Sequence, residues 1–320
     1  MLVKSKAPPI SKIAAAVGAP RVPKLNLPAY ARDGRPLQWN ATRTAVAFDA
    51  TDDEYRSDPT AVNASTLKLL ARSPAHMASA MQRPKKELPS QRLGTAIHAA
   101  TLEPALFASK YLRYSRARCA CSKADFQARN PGRVIVSDKE WETADNVSRA
   151  LLAKVIVRNG DEQFTLKDLR NYGQCERVIY WLDEETGLTC KARLDLMAGP
   201  VTLDIKSTDD ARPAAFKRQC AQLRYDIQAA FYLRARRALE PEMQGHVFIM
   251  LAVETEAPYA SIAHKAAADR FVKPGDREVS RLLKQLKACR DTFDYPAYDE
   301  PAADLELPMN MLYALGYDDE

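Results

Sequence analysis

The clearest hydrophobic pattern in the chain is an alternation of apolar and polar residues between positions 188 and 196. In order, these residues are Leu188, Thr189, Cys190, Lys191, Ala192, Arg193, Leu194, Asp195 and Leu196. A period of two is typical of a half-buried β-strand. Gly199-Pro200 interrupts the pattern, and residues 201–206 resume it. The two stretches predict an antiparallel hairpin with its turn at Gly199-Pro200.

Helices and further strands are predicted on both sides of this hairpin. Asn63 or Ser65 can cap one short helix, and Ser73-Pro74 can begin a second. Apolar spacing of three or four predicts a single long helix over 213–239, and further helices are predicted over 93–104 and 276–292. Strands are predicted at 178–183, 247–253 and 259–264, with a strand within 119–142 and a helix over 141–157. The pattern indicates an α/β fold with a mixed central sheet flanked by helices.

Composition divides the chain into three parts. Residues 1–48 hold six prolines and eight Lys/Arg against one acid, and residues 291–320 carry nine acids and no Lys/Arg. We therefore expect a flexible basic arm over 1–60, a folded domain over 61–300 and an acidic tail over 301–320. The arm is either inert or a tether to DNA or to a partner protein.

Charge and cysteine usage narrow the functional class. Residues 49–290 contain 39 Lys/Arg and 31 Asp/Glu, an excess of positive charge that fits a polyanionic partner. No run of about 18 apolar residues is present, so no membrane span is predicted. The six cysteines include no C-x-x-C pair, and we expect reduced thiols in a cytoplasmic protein.

The predicted hairpin brings two carboxylates together. With the turn at Gly199-Pro200, Asp195 lies across from Asp204, and Lys206 points to the same face as Asp204. Facing carboxylates repel each other unless a positive charge lies between them. Their hard oxygen atoms suit Mg²⁺, for which Mn²⁺ can substitute, and such an ion activates water beside a phosphate. Spacing alone also allows a solvated hairpin with two surface aspartates.

Asp195, Asp204 and Lys206 resemble the active-site motif of the PD-(D/E)XK nucleases, with Leu194 in place of the proline. Six blocks over about residues 60–300 are similar, more specifically, to the C-terminal nuclease domain of the RecE-type exonuclease, exodeoxyribonuclease VIII. In order, the blocks read Ser-x-Leu-x-x-Leu…Ser-Pro, Leu-Gly-Thr-Ala-Ile-His-x-x-x-Leu-Glu-Pro, Tyr-Trp-Leu-Asp-Glu-Glu-Thr-Gly-Leu, Lys-Ala-Arg-Leu-Asp, Asp-Ile-Lys-Ser-Thr and Arg-Tyr-Asp-Ile-Gln-Ala-Ala-Phe-Tyr.

This resemblance implies a restriction-endonuclease-like fold and a set of site residues. The implied metal ligands are His98, Asp195, Asp204 and the backbone carbonyl of Ile205, with Glu176 as a further candidate. The implied catalytic residues are Asp195, Asp204, Lys206, Gln228 and Tyr232. The candidate DNA contacts are Arg193, Arg224 and Tyr225. The resemblance also implies 5′-to-3′ digestion of double-stranded DNA from its ends, a homo-oligomeric ring and a RecT-type single-strand annealing recombinase as partner.

Helical spacing agrees with part of this set. Tyr225, Gln228 and Tyr232 fall at i, i+3 and i+7, so they share one face of a helix that can pack beside the hairpin. Two alternatives stay open. A catalytically silent DNA-binding scaffold of the same fold would show no metal binding that depends on the aspartates. An endonuclease, or a nuclease of the CRISPR-adaptation type, would cut circular DNA.

Overall fold

The computed structural model describes residues 25, 27–32, 37–83, 88–117, 119–298, 307, 309 and 311. Among these residues the strands are β1 (Gln38–Trp39), β2 (Ala45–Phe48), β3 (Tyr111–Tyr114), β4 (Val134–Ser137), β5 (Val155–Asn159), β6 (Glu162–Thr165), β7 (Gln174–Leu182), β8 (Thr189–Ala198), β9 (Val201–Thr208), β10 (Val247–Glu254) and β11 (Ser261–Lys265). The helices are α1 (Asp52–Ser57), α2 (Ala64–Leu70), α3 (Pro74–Gln82), α4 (Pro89–Leu102), α5 (Pro104–Lys110), α6 (Lys123–Arg129), α7 (Asp138–Leu152), α8 (Leu166–Tyr172), α9 (Pro213–Gln222), α10 (Tyr225–Leu239) and α11 (Lys273–Thr292).

The central sheet has the strand order β1-β2-β7-β8-β9-β10-β11 in the described part of the chain. Only β9 and β10 pair in parallel, and the other neighbours are antiparallel. Helices α2, α3, α10 and α11 pack against one face and share a core with Leu194. Helices α4, α5, α7 and α8 pack against the other face around Leu196 and Leu203. The prediction of an α/β fold with a mixed, helix-flanked sheet is confirmed.

The β8–β9 hairpin has the predicted turn but opens before it reaches the aspartates. Ala198 pairs with Val201 and Leu196 with Leu203, and the ladder ends there. Beyond that point β8 continues to pair with β7, and β9 with β10. The sequence predicted that Asp195 and Asp204 would be paired across the hairpin ladder. This prediction is wrong, because the ladder ends before it reaches them. They lie where the two strands diverge, which we call the fork.

The side-chain alternation reverses at the same point. Leu194 belongs to the core on the α10 side of the sheet, whereas Leu196 belongs to the core on the α4 side. The neighbouring strand reverses too, since Ile179 lies on the α10 side and Cys175 on the α4 side. Between these positions Glu176 adopts a left-handed backbone with φ of 51°, an uncommon conformation for a residue with a side chain. The fork thus lies where both strands change phase.

The predicted half-buried character of β8 is wrong because both of its faces are covered. Lys191 is 1% exposed, and its ammonium group donates to the carbonyl oxygens of Tyr55 and Asp58. Val62 inserts beside β8 as an isolated parallel bridge to Cys190. Residues that precede α2, namely Tyr55, Asp58 and Val62, therefore cover the face of β8 that the sequence pattern assigns to solvent.

Several element boundaries differ from the predictions. The single helix over 213–239 is two helices, because Arg224 adopts a left-handed backbone with φ of 49° and redirects the chain.

The segment 119–142 and the predicted arm also differ from the predictions. The segment contains helix α6 before strand β4. Cys119 and Cys121 form a disulfide, so the prediction of six reduced thiols is wrong for this pair. The predicted arm is wrong for residues 38–57, which form β1, β2 and α1. Residues 1–24 of the arm and most of the acidic tail lie outside the described residues. No helix in the described segments has the length and apolar character to cross a bilayer.

Candidate active site

Three potential metal ligands converge at the fork. His98 comes from α4, Glu176 from β7 and Asp195 from β8, and one ligand atom of each lies within 4.8 Å of the others. His98 Nδ1 is 3.4 Å from Asp195 Oδ2 and 3.7 Å from Glu176 Oε1. The divergence of the strands and the helix above them therefore assemble two carboxylates and an imidazole in one place.

Hydrogen bonds fix the orientation of this cluster. His98 Nε2 lies 3.0 Å from the carbonyl oxygen of Ile205, which can only accept, so Nε2 carries the proton. Without a metal, Nδ1 is protonated as well and faces the two carboxylates, and a bound cation would replace this proton. The backbone N–H of Ile205 donates to Asp195 Oδ2 at 2.7 Å. One residue of β9 thus holds both His98 and Asp195.

The pKa values of His98 and Asp195 are both raised, because several carboxylates lie close together and away from solvent. Burial works to lower the pKa of His98, but the charges of Asp195 and Glu176 outweigh it and raise the pKa to about 9. Burial raises the pKa of Asp195 to about 7, and the charges of Asp204 and Glu176 act in the same direction against those of His98 and Lys206. A positive charge at the fork relieves this repulsion.

A second group lies on the α10 side of the fork. Lys206 Nζ is 2.5 Å from Asp204 Oδ2, and Gln228 Nε2 donates to Asp204 Oδ1 at 2.7 Å. Asp204 Oδ2 is buried and accepts no well-directed hydrogen bond despite its closeness to the ammonium group. The predicted helix face is present, because Gln228 of α10 reaches β9 directly. The Asp204 carboxylate therefore lies between the Lys206 ammonium group and the Gln228 amide.

Lys68 of α2 is a functional candidate that the sequence reasoning missed. Its ammonium group donates to Gln228 Oε1 at 3.0 Å and lies 4.7 Å from the ring centre of Tyr225. Burial and the charge of Lys206 lower the pKa of Lys68 to about 7. The only sequence signal is a lysine directly after Leu67, a core residue of α2.

Lys68 determines which way the Gln228 amide points. An ammonium group only donates, so it holds the amide oxygen and leaves the amide N–H₂ to Asp204. We expect Lys68→Met to reduce DNA cleavage by about 10- to 100-fold, the usual cost of losing a group that orients a metal ligand. Steady-state cleavage rates at saturating DNA measure this.

A double-mutant cycle separates orientation from a general loss of structure. If Lys68 acts through Gln228, the double variant Lys68→Met/Gln228→Leu is no slower than Gln228→Leu alone. Additive losses in the two single variants would contradict this role.

The other predicted site residues occupy different positions. The Ile205 carbonyl, predicted as a ligand, accepts the hydrogen bond from His98. The Tyr232 ring packs between two cores, and burial raises the pKa of its hydroxyl well above the usual range. Tyr225 lies over Lys206, with the ammonium 5.0 Å from the ring centre. Arg224 is partly exposed and pairs with Asp226 at 3.0 Å.

Arg193 was predicted to contact DNA, but the structure gives it another role. Its guanidinium group is mostly buried and lies 2.8 Å from Glu176, 3.0 Å from Asp52 and 3.7 Å from Glu103. Because its guanidinium group is already paired with these three carboxylates, it is not free to bind a DNA phosphate. Arg193 therefore positions the Glu176 carboxylate at the fork.

The residues present fit a divalent cation. The three-residue cluster at the fork combines two carboxylates with an imidazole, and the buried Asp204 carboxylate adds a further negative charge close to Asp195. Carboxylate oxygens suit Mg²⁺ and Mn²⁺, and an imidazole nitrogen is better tolerated by Mn²⁺ than by Mg²⁺. His98, Glu176 and Asp195 would hold such an ion, with Asp204 beside them.

Comparisons with known proteins show the fold and the family of this chain. A search of curated proteins found no match. Among solved structures, the chain is similar to a "Putative exonuclease" from Eubacterium rectale with a TM-score of 0.53 and 12% identity, covering 83% of this chain and 98% of that one. At that identity the match shows a shared fold. The family model described as "PDDEXK-like domain of unknown function (DUF3799)" matches residues 63–306, and the chain therefore belongs to this PDDEXK-like family.

Proposed function

We propose that the protein is a divalent-metal-dependent exodeoxyribonuclease that degrades linear double-stranded DNA. The observation that carries this proposal is the cluster of His98, Glu176 and Asp195 at the fork, beside Asp204 and Lys206. The family match and the solved neighbour both suggest a nuclease. The excess of basic residues in the folded part fits a DNA substrate.

The residues of the chain divide the work of phosphodiester hydrolysis. When bound, Mg²⁺ or Mn²⁺ stabilises negative charge on the phosphate and lowers the pKa of a nearby water molecule. His98, Glu176 and Asp195 present ligand atoms within 4.8 Å of one another and would hold the ion. Lys206 offers hydrogen-bond donors to a phosphate oxygen or to the attacking water. Gln228, held by Lys68, fixes the Asp204 carboxylate.

The resemblance to the RecE-type exonuclease supplies the finer parts of the proposal. These are 5′-to-3′ polarity, action in phage-type or bacterial homologous recombination, a homo-oligomeric ring around DNA and a RecT-type annealing partner. All four depend on sequence blocks shared with that family. Polarity is the part that the cleavage experiment below reads directly.

The test compares end-labelled linear duplex with closed circular DNA, with Mg²⁺ and with EDTA. We expect the wild type to digest only the linear DNA and only with the metal, and Asp204→Ala to lose this activity. Asp209→Ala is the matched control, because Asp209 is an exposed acid on the same segment. Release of label from the 5′ end first would support the proposed polarity.

Other results would select the alternatives. Cleavage of the circle would identify an endonuclease. Metal-independent DNA binding without cleavage of either substrate would identify a silent scaffold. Full activity of Asp204→Ala would show that the assigned site is wrong.

A further inference from the structure

A second concave site opens beside α9, outside the metal cluster. Its cavity of about 570 Å³ is bounded by α9, β11 and the π-helical turn Ala268–Val272 ahead of α11. We call it the α9 pocket. Its volume lies in the range of about 300–1,000 Å³ that is usual for small-ligand sites. The size allows one nucleotide.

The rim of the α9 pocket is basic. Lys217, Lys265 and Arg270 line it and form no ion pair with the described residues. The one carboxylate in the lining, Asp226, is engaged by Arg224 at 3.0 Å. Three cations without a countercharge around a cavity favour an anionic ligand.

The floor of the α9 pocket is apolar and aromatic. His264 stacks on Phe216 with 4.8 Å between ring centres, and Phe271 is a further half-buried ring in the lining. His264 Nε2 donates to the carbonyl of Ala211 at 3.1 Å, which fixes the ring in place. Aromatic rings that are held rigidly are suited to stacking with nucleic-acid bases.

The α9 pocket adjoins the active site on the same face of the sheet. Met250 lines it and is the parallel partner of Asp204, so the two side chains point to the same face. Tyr225 lies between the two sites, with its ring centre 6.4 Å from that of Phe216 and 5.0 Å from Lys206 Nζ. Tyr225 thus connects the floor of the α9 pocket with the ammonium group beside Asp204.

We propose that the α9 pocket binds one unpaired nucleotide of the DNA strand that occupies the active site, with the base on the aromatic floor and a phosphate at the basic rim. This inference rests on the proposed nuclease function. A groove near Arg92 provides the contrast, because there Arg92 pairs with Glu140 and Lys139 with Glu256. In that groove two of the three lining cations are paired within the described residues and Lys123 is not, whereas at the α9 pocket Lys217, Lys265 and Arg270 are all unpaired.

Binding of a short single strand without turnover tests the proposal. The probe is a fluorescent 5′-phosphorylated pentathymidylate, measured by anisotropy in EDTA. We expect Lys217→Glu to weaken binding by about 10-fold, because it reverses a charge at the rim. Arg218→Glu is the matched control, since Arg218 is exposed on the same helix but does not line the pocket, and we expect a change of less than about 2-fold.

A neutral substitution tests the cavity itself. Ala221 lines the pocket and is exposed, so Ala221→Trp fills the space without a charge change. We expect binding to weaken by at least about 5-fold, the effect of losing one stacked base. Equal weakening by Lys217→Glu and Arg218→Glu, or normal binding by Ala221→Trp, would overturn the assignment.

A minimal substrate distinguishes failure of this inference from failure of the proposed function. Bis(p-nitrophenyl) phosphate with Mn²⁺ needs only the metal site, so Lys217→Glu should hydrolyse it like the wild type, and Asp204→Ala should not. Loss of this hydrolysis in Lys217→Glu would mean damage to the active site and would overturn the pocket's role. Absence of all hydrolysis in the wild type would instead overturn the nuclease function. The binding measurements in EDTA need no turnover, so they would still show whether the α9 pocket binds the strand.

Discussion

Asp195→Asn is expected to lose divalent-cation binding and DNA cleavage, each by at least about 100-fold, the upper range for groups that only support a ligand. Asp195 belongs to the three-residue cluster, with its Oδ2 3.4 Å from His98 Nδ1. The amide oxygen of Asn can still accept the N–H of Ile205, so the fork keeps its shape. Titration calorimetry with Mn²⁺ and the linear-duplex assay measure the two losses.

Thermal unfolding in EDTA provides the control for this variant. Buried carboxylates that repel one another destabilise the protein without a cation, so Asp195→Asn should unfold at the same temperature as the wild type or higher. Asp209→Asn, an exposed change nearby, should alter neither binding nor cleavage. Normal Mn²⁺ affinity in Asp195→Asn, or a large fall in its stability, would contradict a ligand role.

Arg236→Met should lower the free energy of unfolding by about 3–5 kcal/mol, the cost of removing one partner of a buried ion pair. Arg236 is 1% exposed and its guanidinium donates to Glu240 at 2.7 Å. It also donates to the carbonyl oxygens of Gly199 at 2.6 Å and Val201 at 3.2 Å. The side chain thus connects the turn of the β8–β9 hairpin to α10, the helix that carries Gln228.

Urea denaturation followed by circular dichroism measures this loss. Arg237→Met is the matched control, because Arg237 is the next residue of the same helix and is exposed. Surface changes of this kind usually alter stability by less than about 0.5 kcal/mol. Equal midpoints for the two variants would show that the buried contacts of Arg236 do not stabilise the hairpin.

The sequence predicted the parts of the fold that depend on local patterns. Asn63 and Ser73 cap α2 and α3 as expected, because capping requires only neighbouring backbone. The turn at Gly199-Pro200 fixed the hairpin register, since Ala198 pairs with Val201. The break before α10 was missed because the apolar spacing continues through Leu223, which is in fact exposed.

Site residues that belong to or lie near a sequence motif could be predicted. Those that depend on contacts between distant parts of the folded chain could not. His98 and Asp195 were named from sequence blocks and Glu176 only as an acidic residue upstream of Asp195, and the structure brings the three together. No local sequence pattern indicates the fork, because it arises where β8 pairs with β7 and β9 pairs with β10 instead of with each other. Lys68 was missed since its partner, Gln228, is 160 positions away.

Burial of charged residues explains the remaining errors. Lys191 and Arg193 alternate with apolar residues, so the pattern assigned them to solvent. Several of their partners lie in the segment that composition assigned to a flexible arm, where Tyr55 and Asp58 accept from Lys191 and Asp52 is one of the carboxylates that pair with Arg193. Low apolar content over a long stretch concealed the four buried residues of β2.

Strand β2 has a consequence for where an independently stable protein can begin. The family model starts at residue 63, yet β2 lies between β1 and β7 and contributes Val46 and Phe48 to a separate core. A protein expressed from residue 63 would expose the edge of β7 and remove the carbonyl oxygens that hold Lys191. An exposed edge of this kind invites aggregation. The segment that recurs among relatives is therefore smaller than the segment that folds, and expression should start ahead of residue 38.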